Sequence, residues 1–214
     1  PIYRGKELRV ILGDAKTEIL FIPHYIRGFD YVDMIRKLRS GLPHLRHVVC
    51  CGGEDDLTED VLRLEDMMTR GGPGLAHIAS VDPDDTKVLL YTSGTTGNPK
   101  AVRHSHNTLA KAMDNGVIAW GLNERDMMLM PSPVTHVTGY VNGIELPFFT
   151  DTKVLLMESW VVSRAVELIE THHATTCVSA TPFLRELVDA CRDQGKDLPS
   201  FRLFACGGAA APSA

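Results

Sequence analysis

Short apolar stretches alternate with amphipathic segments along most of this chain, and this alternation limits the possible folds more than any other feature. Runs such as Ile19–Ile22 and Met127–Met130 are short, continuous and apolar, as in strands buried on both faces. Between such runs, apolar residues recur with the period of a helix, for example over 162–169. Strands that alternate with helices usually pair in parallel, so the sequence predicts an α/β fold with largely parallel sheets flanked by helices.

The individual elements follow from these patterns and from capping residues. The predicted strands are Ile19–Ile22, Val48–Cys51, Val88–Tyr91, Ala101–His104, Met127–Met130, Val154–Met157, Thr175–Ser179 and Arg202–Cys206. The first predicted helices are Tyr31–Leu38 and a helix with Leu57, Val61, Leu64 and Met68 on one face, with Thr58 as a possible cap and Gly71–Gly72 as its stop. A third runs from Ser105 or Asn107 to about Trp120. The last two are an amphipathic helix carrying Val162, Ala165, Val166 and Ile169, and one that Thr181 caps. The polar connector Asp82–Asp85 suggests a division into segments 1–85 and 86–214.

Composition and charge exclude several classes of protein. The chain has 214 residues, 44% hydrophobic and 23% charged, with a formal net charge of −5. No apolar run approaches the roughly 20 residues that a membrane helix needs, so no transmembrane segment is expected. The scattered basic residues and mild acidity argue against a nucleic-acid partner. The five cysteines have no metal-site spacing, which indicates buried free thiols in a reducing, cytoplasmic setting.

Three polar segments have an ordinary structural interpretation. His104 and His106 have the spacing of metal ligands on a strand, but no third ligand is evident, and a boundary between hairpin and helix is favoured. His172 and His173 suit a helix C-terminus, where a positive charge complements the dipole. The segment 124–126, Glu-Arg-Asp, is interpreted as a solvated loop.

The stretch 92–100 has the composition of a polyphosphate-binding loop. It reads Thr-Ser-Gly-Thr-Thr-Gly-Asn-Pro-Lys and follows the predicted strand Val88–Tyr91. Glycines allow backbone N–H groups to point into one concave surface, hydroxyls add donors, and Lys100 adds a positive charge. It is not a Walker A loop, because Gly94 and Gly97 are too close together and proline precedes the lysine. The alternative is a surface turn rich in Ser, Thr and Gly, but the length and order of the motif favour phosphate binding.

Tyr91–Lys100 resembles the phosphate-loop signature of the ANL superfamily, which comprises acyl-CoA synthetases, peptide-synthetase adenylation domains and luciferases. The resemblance implies contacts to the β- and γ-phosphates of ATP from Thr92, Ser93, Thr95, Thr96 and Lys100, with Gly94 and Gly97 permitting the turn. It makes Lys100 a catalytic residue, because negative charge grows on the departing pyrophosphate. The chain departs from the family at Ala101, where glycine is usual.

A second segment, Pro131–Tyr140, agrees with the same family. It is a proline-bracketed loop after a strand, and it presents a histidine and a glycine at a helix start. By itself His136 would be an ordinary hydrogen-bonded loop histidine. Within the family pattern it matches the residue that borders the carboxylate substrate, which implies catalytic and substrate-binding roles. Thr138 and Gly139 would lie in the same pocket, with Gly139 leaving room for the acyl group.

A third segment, Phe204–Ala210, is a strand that ends in glycines and small residues, which lets a flat ligand approach the backbone closely. It resembles the family's Gly-Gly-Ala segment between the adenine and acyl pockets. The resemblance implies that Gly207, Gly208 and Ala209 bind the nucleotide and that Gly208 also contacts the acid.

Together these segments resemble an AMP-forming acid–CoA ligase that uses a carboxylic acid, ATP with Mg²⁺, and coenzyme A. The resemblance implies a piece of the layered N-terminal domain of an adenylate-forming enzyme, with the C-terminal domain and the metal-binding residues elsewhere. Arg27–Tyr31 and Pro131–Pro147 look most like bacterial ligases for cyclic aliphatic or medium-chain acids. Two alternatives remain: an adenylating enzyme of peptide-synthetase or luciferase type, and a non-catalytic nucleotide-binding module.

Overall fold

The computed structural model describes residues 3–53, 57, 60–70, 72, 74, 78–92 and 99–208. The chain forms two compact units, Pro1–Asp82 with Tyr91–Arg103, and Pro83–Leu90 with His104–Ala214. The units interleave along the chain, whereas the sequence predicts consecutive segments, 1–85 and 86–214. That division stays a prediction.

The first unit is a small α/β structure. Its helices are α1 (Gly5–Asp14), α2 (Tyr31–Leu38) and α3 (Leu64–Arg70), and its strands are β1 (Ile19–Pro23), β2 (Tyr25–Ile26), β3 (Phe29–Asp30), β4 (His47–Cys51) and β5 (Leu62–Arg63). Strands β1, β4 and β5 form a parallel sheet in the order β1-β4-β5, and β2 pairs with β3 in antiparallel fashion. Val32 and Ile35 of α2 pack in one core with Val48 of β4. The Asp30 carboxylate caps α2 by accepting the Asp33 N–H at 2.8 Å.

The helix predicted around Leu57 and Met68 is wrong in its first half. Leu62 and Arg63 pair in parallel with Val49 and Cys50 of β4, so they form β5, and α3 begins only at Leu64. Apolar residues at this spacing suit either a short strand or a helix, and pairing with an exposed strand edge decided between them. Thr58 and Gly71, predicted as the cap and stop, lie outside the described residues.

A hairpin and a long helix link the motif-bearing parts of the chain. Strands β6 (Thr86–Thr92) and β7 (Lys100–Ser105) form a two-stranded sheet, and α4 (His106–Trp120) follows directly. Ser105 caps α4: its hydroxyl accepts the Thr108 N–H at 3.2 Å, and the Thr108 hydroxyl accepts the Ser105 N–H at 2.9 Å. The predicted hairpin, the Ser105 cap and the helix end at Trp120 are confirmed.

The second unit is built on a four-stranded parallel sheet in the order β11-β10-β8-β9. The strands are β8 (Met127–Met130), β9 (Lys153–Leu156), β10 (Thr176–Ser179) and β11 (Leu203–Cys206), and the helices are α5 (Val137–Tyr140), α6 (Leu146–Thr150), α7 (Val162–His172) and α8 (Thr181–Gln194), with a π-helical turn over Val141–Glu145. All four strands match the predicted ones within one residue at either end. Thr181 is the first residue of α8 rather than its cap, which is Ala180.

Helices cover both faces of this sheet, as its continuous apolar strands require. On one face, Met128 and Met130 of β8 pack with residues of α4, the π-helical turn and α6. On the other face, Leu129 of β8 and Cys177 of β10 pack with α7 and α8. The α/β prediction with largely parallel sheets is confirmed. Among the described residues, no helix combines the length and apolar character needed to cross a bilayer.

Two expectations about polar and thiol groups are wrong. Asp126, expected in a solvated loop, is only 3% exposed, because Arg202 and Thr175 bond its carboxylate at the amino edge of the sheet. The cysteines are all free, but they are not all buried: Cys50 and Cys177 are, whereas Cys206 is exposed. Cys206 is the last residue of β11 and precedes the glycine turn.

Candidate functional site

The carboxyl edge of the four-stranded sheet contains a switch in the direction of chain connections. The chain leaves β8 through α5 and α6 on one face to reach β9, whereas it leaves β10 through α8 on the opposite face to reach β11. Strands β8 and β10 are neighbours in the sheet. The loops that follow them therefore diverge and leave a crevice outside their carboxyl ends, which is where ligands bind in open parallel sheets.

Two serines mark this crevice. Ser132 follows β8, Ser179 is the last residue of β10, and both side chains are buried. Their hydroxyl oxygens lie 2.9 Å apart in a hydrogen bond. The Gly207 N–H, which follows β11, donates to the Ser179 carbonyl at 3.0 Å. The structure thereby brings the loop after β8 and the glycine turn after β11, two of the three segments singled out in the sequence, to one edge of one sheet.

His136 stands exposed at the start of the helical connection from β8 to β9. It is the N-cap of α5, and its Nδ1 accepts the Thr138 N–H at 3.3 Å. The backbone N–H of His136 donates to the Pro133 carbonyl at 3.0 Å, which closes the loop. Because Nδ1 accepts a hydrogen bond, the neutral imidazole carries its proton on Nε2, and that N–H remains available as a donor toward solvent or a ligand. The predicted helix start after this histidine is confirmed.

Gly139 is buried where α5 folds back on its own loop. A Cβ at this position would lie 2.2 Å from the Pro133 carbonyl oxygen and 2.5 Å from that of Ser132. The loop and the helix can therefore approach this closely only with glycine. Whether Gly139 also leaves room for an acyl group stays a prediction, as does a substrate contact for the half-buried Thr138.

Gly207 and Gly208 form the turn after β11. Gly208 has a φ of 75°, a left-handed conformation that favours glycine. No described atom lies within 4 Å of a Cβ built on either residue, so the backbone here is open to a close approach. Ala209, predicted to bind the nucleotide, lies outside the described residues.

The predicted phosphate loop, residues 92–100, is described only at its two ends. Thr92 is the exposed last residue of β6, and Lys100 is the exposed first residue of β7. Ser93, Gly94, Thr95, Thr96, Gly97 and Asn98 lie outside the described residues. Tyr91, which precedes the segment, donates its hydroxyl to the Asp14 carboxylate at 2.7 Å, and burial together with this carboxylate raises the pKa of Tyr91 to about 12. The base of the predicted loop is thus fixed by the first unit.

Sequence reasoning missed one charged cluster behind the His136 loop. Glu145 ends the π-helical turn, and its carboxylate accepts the Tyr140 hydroxyl and the Lys87 ammonium, both at 2.5 Å. Burial opposes ionisation of Glu145, but these two hydrogen bonds outweigh it and hold the pKa of the carboxyl below its ordinary value. Burial and the neighbouring carboxylate raise the pKa of Tyr140 to about 12, so the hydroxyl keeps its proton. Lys87 and Glu145 are 58 residues apart, and no local pattern signals the contact. The Ser132–Ser179 hydrogen bond was missed too, although Ser179 ends one predicted strand and Ser132 follows another.

A sequence model of the family described as AMP-binding enzyme matches residues 1–214. The chain is 29% identical over 213 residues to the medium-chain fatty-acid–CoA ligase of Escherichia coli strain K12, a match that covers 99% of this chain and 37% of that protein. It is 26% identical over 209 residues to the indoleacetate–CoA ligase of Aromatoleum aromaticum, covering 97% and 39% of the two chains. The chain thus spans about two fifths of the length of these curated relatives.

Solved structures agree on the fold. The crystal structure of the anthranilate CoA ligase AuaEII in complex with anthranoyl-AMP superposes with a TM-score of 0.81 at 24% identity, covering 95% of this chain and 38% of that one. A long-chain-fatty-acid–CoA ligase from Archaeoglobus fulgidus gives a TM-score of 0.78, also at 24% identity, covering 96% and 39%. The fold is therefore that of the N-terminal domains of adenylate-forming enzymes. Since the family model matches the whole sequence, the chain belongs to the AMP-binding enzyme family.

Proposed function

We propose that the full-length protein carrying this chain is an AMP-forming ligase that joins a carboxylic acid to coenzyme A. The observation that carries the proposal is that the His136 loop and the Gly207–Gly208 turn lie on either side of the carboxyl end of β10, at one edge of one sheet. The chain also matches the AMP-binding family throughout. The relatives named as CoA ligases support the choice of acceptor, and the neighbour solved with anthranoyl-AMP supports an acyl-adenylate intermediate.

The proposed reaction has two steps. A carboxylate oxygen of the acid attacks the α-phosphorus of ATP, the bond from that phosphorus to the bridging oxygen breaks, and acyl-AMP and pyrophosphate form. The thiol of coenzyme A, losing its proton, then attacks the acyl carbon, and AMP leaves with the electrons of the acyl–oxygen bond. The first step builds negative charge on pyrophosphate, so donors fixed around it lower the barrier.

The proposal divides the site residues between nucleotide and acid. Lys100 would bind pyrophosphate, together with the hydroxyls and backbone N–H groups of Thr92–Gly97. Gly207, Gly208 and Ala209 would lie against the adenine, and the open backbone at both glycines supports this role. His136 would border the acid with Thr138, Gly139 and Gly208, and its Nε2–H suits an oxygen of the carboxylate or of the adenylate.

Mg²⁺ is proposed to enter with ATP. The described residues contain no group of three or more His, Cys, Asp or Glu side chains arranged to hold a metal ion. The described part of this chain thus does not fit a dedicated Mg²⁺ site. Mg²⁺ is commonly held by substrate phosphates with one or two carboxylates, so the nucleotide itself would supply most of its ligands. No step above depends on a metal ligand from this chain.

The acid is proposed to be of medium chain length or cyclic, because the relatives act on a medium-chain fatty acid and on indoleacetate, according to their names. A cytoplasmic location belongs to the same proposal, and the five free cysteines support a reducing compartment.

The proposal is tested by incubating the full-length protein with ATP, Mg²⁺ and a panel of medium-chain, cyclic aliphatic and aromatic acids, with and without coenzyme A. Mass spectrometry should detect acyl-AMP with at least one acid, and the corresponding thioester only when coenzyme A is present. Acyl-AMP without any thioester would indicate an adenylating enzyme with another acceptor. ATP binding without acyl-AMP for any acid would contradict the enzymatic role and indicate a nucleotide-binding module.

A further inference from the structure

The cluster of Lys87, Glu145 and Tyr140 is built from three separate elements of the second unit. Lys87 lies on β6, Tyr140 ends α5, and Glu145 ends the π-helical turn. The side chain of Glu145 is only 12% exposed and that of Lys87 31%. Each carboxylate oxygen of Glu145 has its own donor, Lys87 Nζ for Oε2 and the Tyr140 hydroxyl for Oε1. A carboxylate with so little exposure to solvent stays charged because both hydrogen bonds stabilise it.

The cluster connects directly to the helical start at His136. The Tyr140 N–H donates to the His136 carbonyl at 2.9 Å, and the Asn142 side-chain amide donates to the Thr138 carbonyl at 2.9 Å. Helix α5 has only four residues, and its stability depends on the π-helical turn and α6, into which it runs directly. The π-helical turn that follows breaks the regular hydrogen-bond ladder, a feature often found at functional sites. The orientation of His136 therefore depends on anchors outside α5, and the Tyr140–Glu145 bond supplies one.

Lys87 attaches this anchor to a different part of the unit. The next residue on β6, Val88, packs against the core below α4, so the strand is held in place at this point. The ion pair then ties the π-helical turn to that strand. Five residues after Lys87, β6 ends at Thr92, where the glycine-rich segment begins.

We propose that Lys87, Glu145 and Tyr140 are positioning residues that hold the His136 loop in the orientation needed to bind the acid. This inference rests on the proposed ligase function. The three side chains do not have to touch substrate; they act through the backbone that joins Tyr140 to His136. Misplacing a binding group by about 1 Å can lower a rate by about a hundredfold, so even the loss of one hydroxyl should be measurable.

The experiment measures acid-dependent ATP–pyrophosphate exchange by the full-length protein. The variants are Tyr140→Phe, Lys87→Met and Lys87→Arg, each made in the wild-type and in the His136→Ala background. The matched control is Glu170→Gln, which breaks another cross-element ion pair, Glu170 with Lys196 at 2.7 Å, on the α7 side of the same unit. Thermal unfolding of every variant establishes that it is folded at the assay temperature.

We expect Tyr140→Phe and Lys87→Met to lower kcat/KM for the acid about tenfold in the wild-type background and less than about twofold in the His136→Ala background, because coupled residues have non-additive effects. Lys87→Arg should retain most of the activity, and the KM for ATP should stay within about twofold throughout. Equal losses in both backgrounds, or no loss at all, would overturn the inference. Loss of ATP binding in the Tyr140→Phe variant would overturn it as well.

A second measurement does not depend on turnover. The imidazole nitrogen chemical shifts of His136, observed by NMR, report whether Nδ1 still accepts the Thr138 N–H. Tyr140→Phe should shift the Nδ1 resonance toward that of a free neutral histidine, whereas Glu170→Gln should leave it unchanged. An unchanged Nδ1 resonance in Tyr140→Phe contradicts the positioning role. If the wild-type protein gives no exchange with any acid while the Nδ1 resonance shifts as expected, the ligase proposal fails and the structural anchor stands.

Discussion

Gly139 lies where the His136 loop has the least spare room. Its missing Cβ would overlap the carbonyl oxygens of Ser132 and Pro133, which are backbone atoms and cannot turn away as a flexible side chain can. The same loop leaves β8 at the crevice between β8 and β10. A change of a single methyl group at this position should therefore alter both stability and the geometry of the site.

Gly139→Ala should destabilise the full-length protein by about 1–3 kcal/mol, the usual cost of overpacking a close contact. The control is Gly13→Ala in α1, where a Cβ meets no described atom within 4 Å and alanine should stabilise the helix by about 0.5–1 kcal/mol. Urea unfolding of both variants gives the two free energies. A Gly139→Ala protein as stable as the wild type would mean that the loop does not pack as observed.

Asp126 and Arg202 form the most heavily bonded charge pair in the described residues, at the amino edge of the sheet. Arg202 donates to the two carboxylate oxygens at 3.0 and 2.7 Å, and it also donates to the Trp120 and Gly121 carbonyls at the end of α4. Burial would raise the pKa of Asp126, but the bonds from Arg202 and Thr175 outweigh it and hold that pKa below its ordinary value. The sequence gives no sign of this, because Arg202 is 76 residues away from Asp126.

Arg202→Met should destabilise the protein by about 2–3 kcal/mol at neutral pH, since it leaves a buried carboxylate short of donors. Because the folded-state pKa of Asp126 is lowered, its contribution is present above the unfolded pKa of about 3.9 and is lost as the pH falls below that value. The difference in unfolding free energy between wild type and Arg202→Met should therefore shrink between about pH 5 and pH 3. A difference that stays constant over this range would contradict the assignment.

At the scale of elements, prediction worked best where local chemistry and tertiary packing agree. Helix α4 has a serine cap, a helical apolar face and a glycine end at Gly121, with a φ of 58°, and its bounds follow from these residues. The helix predicted around Leu62 was wrong because the apolar residues there fit a strand as well as a helix. Pairing with β4 makes this stretch a strand. The π-helical turn at 141–145 has no sequence signature of its own.

Ser105→Ala should destabilise the protein by about 1 kcal/mol, because it removes the acceptor for the Thr108 N–H at the start of α4. Lys111→Ala, on the exposed part of the same helix, should change stability by less than about 0.5 kcal/mol. Thermal unfolding of the two variants, compared with the wild type, provides the check. Equal effects would show that the capping box contributes little to this helix.

At the scale of the whole molecule, the family resemblance and the α/β class could be predicted from the sequence, but the arrangement of the site could not. The order β11-β10-β8-β9 places the loop after β8 and the turn after β11 on either side of the carboxyl end of β10. Strand order depends on contacts between residues that are distant in sequence, so the Ser132–Ser179 hydrogen bond could not be predicted from local sequence patterns. The phosphate motif was recognisable because its chemistry lies in consecutive residues, although its central part, 93–98, is outside the described residues. The roles of Lys100 and His136 stay predictions.

The most direct test of adenylation is acid-dependent ATP–pyrophosphate exchange by the full-length protein and by its Lys100→Ala variant. An interaction that strengthens as charge grows on pyrophosphate should appear in turnover, so exchange should fall by about tenfold to a thousandfold while the affinity for the acid stays close to wild type. Lys111→Ala, an exposed lysine on α4, is the control and should exchange at the wild-type rate. Exchange that requires the acid in the wild type and collapses only in Lys100→Ala is the result we predict. Undiminished exchange in Lys100→Ala would contradict the assignment of this segment as the phosphate-binding loop.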